Sequence, residues 1–465
     1  MKKNTLFLIS AVFLLSRLFF LDRLPIFNDE ALFMHLGADA VAGLRPWWSA
    51  LLFEGKPGHA VSLGLAQLLP IDPLVAARSL SVVFGLITTF FLLASYKIIF
   101  KRKTTVTVAV VFLATPYLVF FQRMALAESA VMAASAGIIY GSLLKRSLLM
   151  GVIFGLGWWW KASILSLAPA AAAVFFSPVA VVVAILVASP LLLLPAFQAL
   201  PLGEVKSVYR LNELLAFPIG RWWENTIAVI QWLLGYLSPG VVILLIIGLI
   251  HSIKQKRAPL LLFFFLPLVI SILMGKILAA RHIAPAIPAA LLLAAEGITM
   301  VEKQFRRWGR LLIAMLVGSA VIVSGLLIFS PLDFYRSLAF VPRAQADFSQ
   351  YVIGWPSGYG VKEVVEWFQT NRRDKPTLVV VRTDSGNPED AVFVYLQRMP
   401  HMTVAYIDWL PDLLQKEKGR WRPEDIFFVS RGAQYDGLAQ HVKERARFKK
   451  PLDPEFVGIY QIVYP

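Results

Sequence analysis

The chain has 465 residues, of which 58% are hydrophobic and 16% charged, with a formal net charge of +16 and no cysteine. So much apolar surface exceeds what a soluble globular fold buries, and it sets the chain among polytopic membrane proteins. A cysteine-free sequence excludes a disulfide framework, an iron–sulfur cluster and a thiol nucleophile. The positive charge gathers in short links between apolar runs, where it reports topology rather than affinity for nucleic acid.

The first apolar run, 5–21, is long enough to cross a bilayer, and Lys2 and Lys3 ahead of it favour a cytoplasmic start. It lacks a small-residue cleavage site and continues into Arg23 and Pro25, so it reads as a retained span. Arg17 inside it is costly in lipid and is read as structural. Asn28-Asp29-Glu30 follows and opens an amphipathic helix over 29–41. Adjacent carboxylates suit the positive end of a helix dipole, so position alone leaves capping and catalysis both open. Arg45-Pro46-Trp47-Trp48 reads as an interfacial turn, and Glu54-Gly55-Lys56-Pro57-Gly58-His59 comes next. The apolar segment 61–69 is too short to span and is laid along the outer surface.

Further spans are read over 74–99, 105–121, 130–144, 148–160, 164–176, 179–197, 241–250, 260–274, 284–298 and 311–329. Residues 226–236 form an outer-side helix broken from the next span by Pro239-Gly240. The sum is about eleven spans, with the N-terminus inside and the C-terminus outside. Lys101 to Lys103, Lys145-Arg146, Lys254 to Arg257 and Lys303 to Arg310 then all fall inside. Treating 61–69 as a span would turn Lys101 to Lys103 outward.

From Pro331 the composition changes. Short apolar runs over 377–381, 403–407, 426–429 and 457–463 alternate with helical stretches over 361–370, 388–398, 411–416 and 435–444. This pattern predicts a small extracytoplasmic α/β domain with a largely parallel sheet, serving as a structural or substrate-gating cap. The expected division is a transmembrane domain over 1–330, with a first outer loop over 22–72, and an α/β domain over 331–465.

Under this topology Asp29, Glu30, Glu54 and Glu128 gather at the outer ends of the spans. So do Lys56, Arg123, Lys161, Arg210, Arg221, Lys276, Arg281 and His282. Cations at the outer leaflet serve no insertion purpose. They suit a substrate that is part lipid and part phosphate, whose tail lies between helices.

In the same order, six short motifs resemble those of one family. They are Asn28-Asp29-Glu30 after the first span, Glu54-Gly55-Lys56-Pro57, and Ala76-Ala77-Arg78. Next come Thr115-Pro116-Tyr117 with Arg123 and Glu128, Gly155-Leu156-Gly157 with Lys161, and Arg281-His282-Ile283-Ala284-Pro285. Each alone is weak; together, over about residues 1–330, they resemble the GT-C glycosyltransferases. The branch they resemble holds the protein O-mannosyltransferases and lipid A aminoarabinose transferases. Gly55 stands where that branch has a metal-contacting Glu, Gly58 replaces a Pro, and Glu128 replaces an Asp.

The resemblance implies transfer of a sugar, with inversion, from a polyprenyl-phosphate donor to a hydroxyl or other nucleophile on protein, lipid or glycan. Asp29 is the implied general base, with Glu30 and Glu128 as alternatives for positioning the acceptor or holding a divalent ion. Lys56 and Arg281 would hold the donor phosphate, with Lys161, His282 and Arg123 in support. No cofactor is fixed; a divalent cation is admissible, with Glu54 and His59 as candidate ligands. The partners are the donor lipid, the acceptor and the bilayer, and the location a plasma or inner membrane. The competing readings are a polyprenyl-linked lipid or polysaccharide transporter or flippase, and a polysaccharide ligase. A transporter would show paired broken helices in two related halves, and no internal repeat is evident.

Overall fold

The computed structural model describes residues 3–51, 55–101, 106–194, 197, 207–338, 340–383, 386–407, 420–432, 442–452 and 454–463. The principal helices begin with α1 Lys3–Leu18, α2 Asn28–Val41, α3 Pro57–Ala66, α4 Pro73–Phe100, α5 Val106–Ala114 and α6 Pro116–Phe121. They continue with α7 Glu128–Leu143, α8 Ser147–Trp160, α9 Ala168–Val174, α10 Pro178–Leu192, α11 Ile219–Leu237 and α12 Pro239–Lys254. After α13 Ala258–Met274 and α14 Ile287–Phe329 come α15 Val361–Asn371, β1 Thr377–Arg382, α16 Glu389–Leu396 and β2 Met402–Ile407. The chain then forms β3 Ile426–Arg431, β4 Val442–Lys449 and β5 Phe456–Ile462.

Two compact units result, and they follow a different division from the expected one. The first takes 1–21, 46–59 and 78–345; the second takes 22–45, 60–77 and 346–465.

The first unit is helical. Among the described residues, Pro73–Phe100, Ala280–Phe305 and Trp308–Phe329 are each long and apolar enough to cross a membrane. The pair α11 and α12 passes the same test together but is bent by 116°. The bend falls at Ser238, whose φ is 72°, just before Pro239, where the sequence predicts a break. Shorter apolar helices lie at Asn4–Leu18, Ser147–Trp160, Ala162–Val174, Pro178–Leu192 and Ala258–Met274.

Prolines account for most departures from the expected spans. Pro116 has no N–H to give to the preceding turn, so the run over 105–121 splits into α5 and α6 at Thr115. The run over 164–176 begins as a 3-10 turn, Ala162–Leu167, before α9 with Pro169 in its first turn. Residues Ala280–Ala286, which contain Pro285, are likewise a 3-10 turn ahead of α14.

Helix α14 passes α12 twice. A Cβ on Gly248 would sit 1.8 Å from the Leu293 carbonyl oxygen, and one on Gly240 would sit 2.0 Å from that of Leu316. Along a straight helix Leu293 and Leu316 would stand about 35 Å apart, against about 12 Å between the two glycines. The chain therefore doubles back near Phe305 and Trp308, where its two membrane-length stretches divide.

The second unit is built on a five-stranded sheet in the order β2-β1-β3-β5-β4. Strand β1 runs parallel to β2, with Val379 opposite Val404, and parallel to β3, with Leu378 opposite Ile426. Strand β5 is antiparallel to both β3 and β4, so the sheet is mixed rather than largely parallel. Leu378, Val380, Ile407, Ile426, Phe428, Tyr460 and Ile462 form the core on one face.

The expected helix over 435–444 is overturned at its described end, because Val442–Lys449 is strand β4. This edge strand reads Val-Lys-Glu-Arg-Ala-Arg-Phe-Lys, with the charges that keep an open edge from pairing with another chain. Such a sequence lacks the apolar run by which the other strands were recognised. The helix expected over 411–416 lies outside the described residues.

Candidate active site

Three separated segments of the first unit converge on a buried carboxylate carried by a fourth. Glu128 opens α7, is 2% exposed, and is paired with Lys161 Nζ. Its place in the first helical turn favours its negative charge. Lys161 follows α8 in extended backbone, where the helix gives way to the 3-10 turn Ala162–Leu167. Arg281 and Lys56 lie within electrostatic reach of the same carboxylate.

Buried His59 faces Lys56, Glu128 and Lys161 and is hydrogen-bonded to the backbone of Ala125. His282 faces Lys161, Arg281, Glu128 and Lys56. Its Nδ1 accepts from the Ala279 N–H at 2.9 Å, so a neutral ring carries its proton on Nε2.

The turn that carries Arg281 and His282 is held from two sides. Tyr117 Oη donates to the Ala280 carbonyl at 2.9 Å, and Ser135 Oγ donates to that of Pro285 at 2.6 Å. A tyrosine from α6 and a serine from α7 thus fix a short irregular segment ahead of a largely buried helix. Lys56, Lys161 and Arg281 around Glu128 leave an excess of positive charge, which suits a phosphate.

The cluster does not suit a divalent ion. Glu128 is already engaged by Lys161, and two further cations would repel a metal. Among the described residues no three His, Asp or Glu side chains converge as a ligand set. Glu54 lies outside the described residues.

Asp29 and Glu30 belong to the second unit. Glu30 is fully buried, and its Oε2 accepts the Phe27 N–H at 2.9 Å, which is the helix-start role that position alone left open. Asp29 occupies the next-earlier position of α2, is 9% exposed, and lies 3.4 Å from Asn28 Nδ2.

Arg123 is placed elsewhere. Its guanidinium donates to the carbonyls of Ser16, Arg17, Phe19 and Phe20 at 3.2, 2.8, 2.8 and 2.6 Å, closing the end of α1. Arg17 has the structural role expected of it: it is fully buried and donates to Gln122 Oε1 and the Leu113 carbonyl. Arg123→Met should therefore lower stability by about 1.5–3 kcal/mol and leave affinity for a polyprenyl phosphate unchanged. Thermal unfolding and lipid-binding measurements on one preparation test this; weakened lipid binding alone would return Arg123 to the phosphate.

Sequence reasoning missed a second ionic cluster, within the second unit. His35, Asp39, Asp390 and Tyr406 are joined by short hydrogen bonds. His35 and Asp39 are four apart on α2, a visible signal, but their partner Asp390 stands 355 residues from His35.

The fold is similar to that of solved structures of ArnT. The crystal structure of ArnT from Cupriavidus metallidurans bound to undecaprenyl phosphate superposes with a TM-score of 0.59 at 12% identity, covering 99% of this chain and 98% of that one. The apo structure of the same protein gives 0.59 and 12%, covering 98% of each. No family model and no curated protein matches the sequence.

Proposed function

We propose that the chain is a membrane glycosyltransferase that moves a sugar from a polyprenyl-phosphate donor to an acceptor at the outer face, with inversion. The observation that carries this reading is the convergence of Lys56, Lys161 and Arg281 on Glu128, in a fold shared with a protein whose structure holds undecaprenyl phosphate. An apolar cavity of about 270 Å³ between α8, α9 and α10, lined by Phe154, Trp158, Leu165, Phe175, Val181 and Ile185, is of a kind to take part of an isoprenoid tail.

In the proposed reaction the acceptor oxygen attacks the anomeric carbon and the bond from that carbon to the donor phosphate breaks. The phosphate leaves with the electron pair, and Asp29 takes the acceptor proton. A phosphate is a weak base, so it needs no general acid. Lys56, Lys161 and Arg281 stabilise the charge that grows on it, and the His282 Nε2–H adds a neutral donor.

The test is donor binding followed by transfer in lipid discs. Arg281→Ala should weaken binding of undecaprenyl phosphate by about 10–150-fold, the equivalent of about 1.5–3 kcal/mol for a charge-assisted contact. Unchanged binding would remove the phosphate clamp from the reading.

The proposed topology keeps about eleven crossings, with the N-terminus inside. A reporter fused after Pro465 should then be extracytoplasmic and one inserted at Lys256 cytoplasmic. A cytoplasmic C-terminus would overturn both the span count and the outward-facing site. Comparing glycolipids and glycoproteins in cells with and without the gene would identify sugar and acceptor.

A further inference from the structure

Helix α2 opens with Asn28, Asp29 and Glu30, and it is tied to residues 386–390 at two places. At its first turn, Asn28 Oδ1 accepts the Asn387 N–H at 3.0 Å. The side-chain amide of Asn387 donates to the carbonyls of Ile26 and Pro356 at 3.0 and 2.7 Å. Gly386 allows this approach: its φ is 124°, and a Cβ there would lie 1.7 Å from Asn28 Oδ1.

Two turns on, buried His35 stands between two carboxylates. Its Nδ1 is 2.6 Å from Asp390 Oδ1 and its Nε2 is 3.2 Å from Asp39 Oδ2. Each carboxylate is held in place by another donor. Tyr406 Oη and the Gly386 N–H donate to Asp390 at 2.9 and 2.6 Å, and Arg45 Nε donates to Asp39 at 2.7 Å. The His35 ring packs on Phe393 and stacks on Tyr406, with centroids 4.0 and 5.1 Å away.

A neutral imidazole has one N–H, so it leaves one of the two carboxylates without a donor from the ring, even where Tyr406 Oη, 3.1 Å from Nδ1, donates to the free nitrogen. Only the imidazolium donates to both. We propose that His35 is a positioning residue: as an imidazolium it clasps α2 to α16 and β2, holds Asp29 in place for transfer, and lets go as the pH rises. The proposal rests on reading Asp29 as the base.

The groups that face His35 are Asp39 on its own helix, Asp390 on α16 and Tyr406 on β2. Arg45 lies behind Asp39, and Glu389, paired with Arg431, lies near Tyr406. Burial opposes the ring's charge, but the hydrogen bonds and attraction from Asp39 and Asp390 outweigh it and raise the His35 pKa above 6.5. The sign follows: the clasp is fully made below the unfolded value and is lost as pH climbs through the higher, folded one.

The experiment uses the full chain in lipid discs. Hydrogen exchange of the peptide covering α2 is followed from pH 5 to 9 and corrected for intrinsic rates, beside the transfer rate. In the parent, protection of α2 should fall above pH 6.5 by up to tenfold per unit, with kcat falling at the same midpoint. Asp390→Asn should move both midpoints acidward by about one unit or more. His35→Gln, which cannot titrate, should flatten both profiles. A flat exchange profile in the parent, or an unmoved midpoint in Asp390→Asn, overturns the clasp whatever Asp29 does. Release of α2 with transfer intact overturns its positioning role. The exchange arm reads the clasp without reference to catalysis, so failure of the Asp29 assignment shows separately.

Discussion

Asp29→Asn is expected to slow transfer by about 10²–10⁴-fold, the range that general-base catalysis supplies, while donor lipid still binds. The substitution keeps the shape and the position in the first turn of α2 and removes only the proton acceptor. Loss of the favourable dipole term costs about 0.3–1 kcal/mol, too little to unfold the helix. Single-turnover transfer and equilibrium donor binding, measured on one purified preparation, separate the two effects. Glu30→Gln is the internal comparison. Its amide oxygen can still accept the Phe27 N–H that Glu30 accepts, so transfer should survive. A near-parental rate for Asp29→Asn would make Asp29 a helix-start residue and send the search for the base to Glu128.

Lys161→Met should be the most damaging single change for folding. It leaves Glu128, 2% exposed, without the ammonium that pairs with it. Breaking a buried pair from one side costs about 3–5 kcal/mol, and here Arg281 and Lys56 hold the loss toward the lower end. Adding Glu128→Gln removes the stranded charge, so the double variant should regain most of the stability while transfer stays lost. Denaturant or detergent unfolding of the parent, the two single variants and the double gives the coupling directly. Additive losses would show that Lys161 and Glu128 do not act as a pair.

How much of this was legible in the chain differs from segment to segment. The helical class follows from apolar length, and β1, β2, β3 and β5 were visible as apolar runs with turns between them. Strand β4 was not, because an edge strand needs charge more than it needs apolar contacts. Lys56, Lys161 and Arg281 are legible from the expected topology and the resemblance, since positive charge at the outer ends of spans has few other uses. Arg123 satisfied the same criteria yet serves the carbonyls that end α1. Nothing local distinguishes a guanidinium that faces a phosphate from one that faces a helix end. The His35 cluster was hidden for a different reason: spacing along α2 shows Asp39 but gives no hint of Asp390, and only the tertiary fold brings the second carboxylate to the ring.

The second unit is assembled from stretches that leave the ribosome far apart in time. Residue 390 follows residue 35 by 355 positions, and at about 5–20 residues per second the wait is roughly 20–70 s. Throughout it α2 has no Asp390 for His35 and no Asn387 for Asn28, and the helix that opens with Asp29 has yet to meet its sheet. A chain truncated after the last apolar helix would hold Lys56, Lys161 and Arg281 and still lack the partners that fix α2. On the proposed mechanism such a product binds donor lipid but transfers poorly, and catalytic competence waits for the stretch from Asn387 to Tyr406.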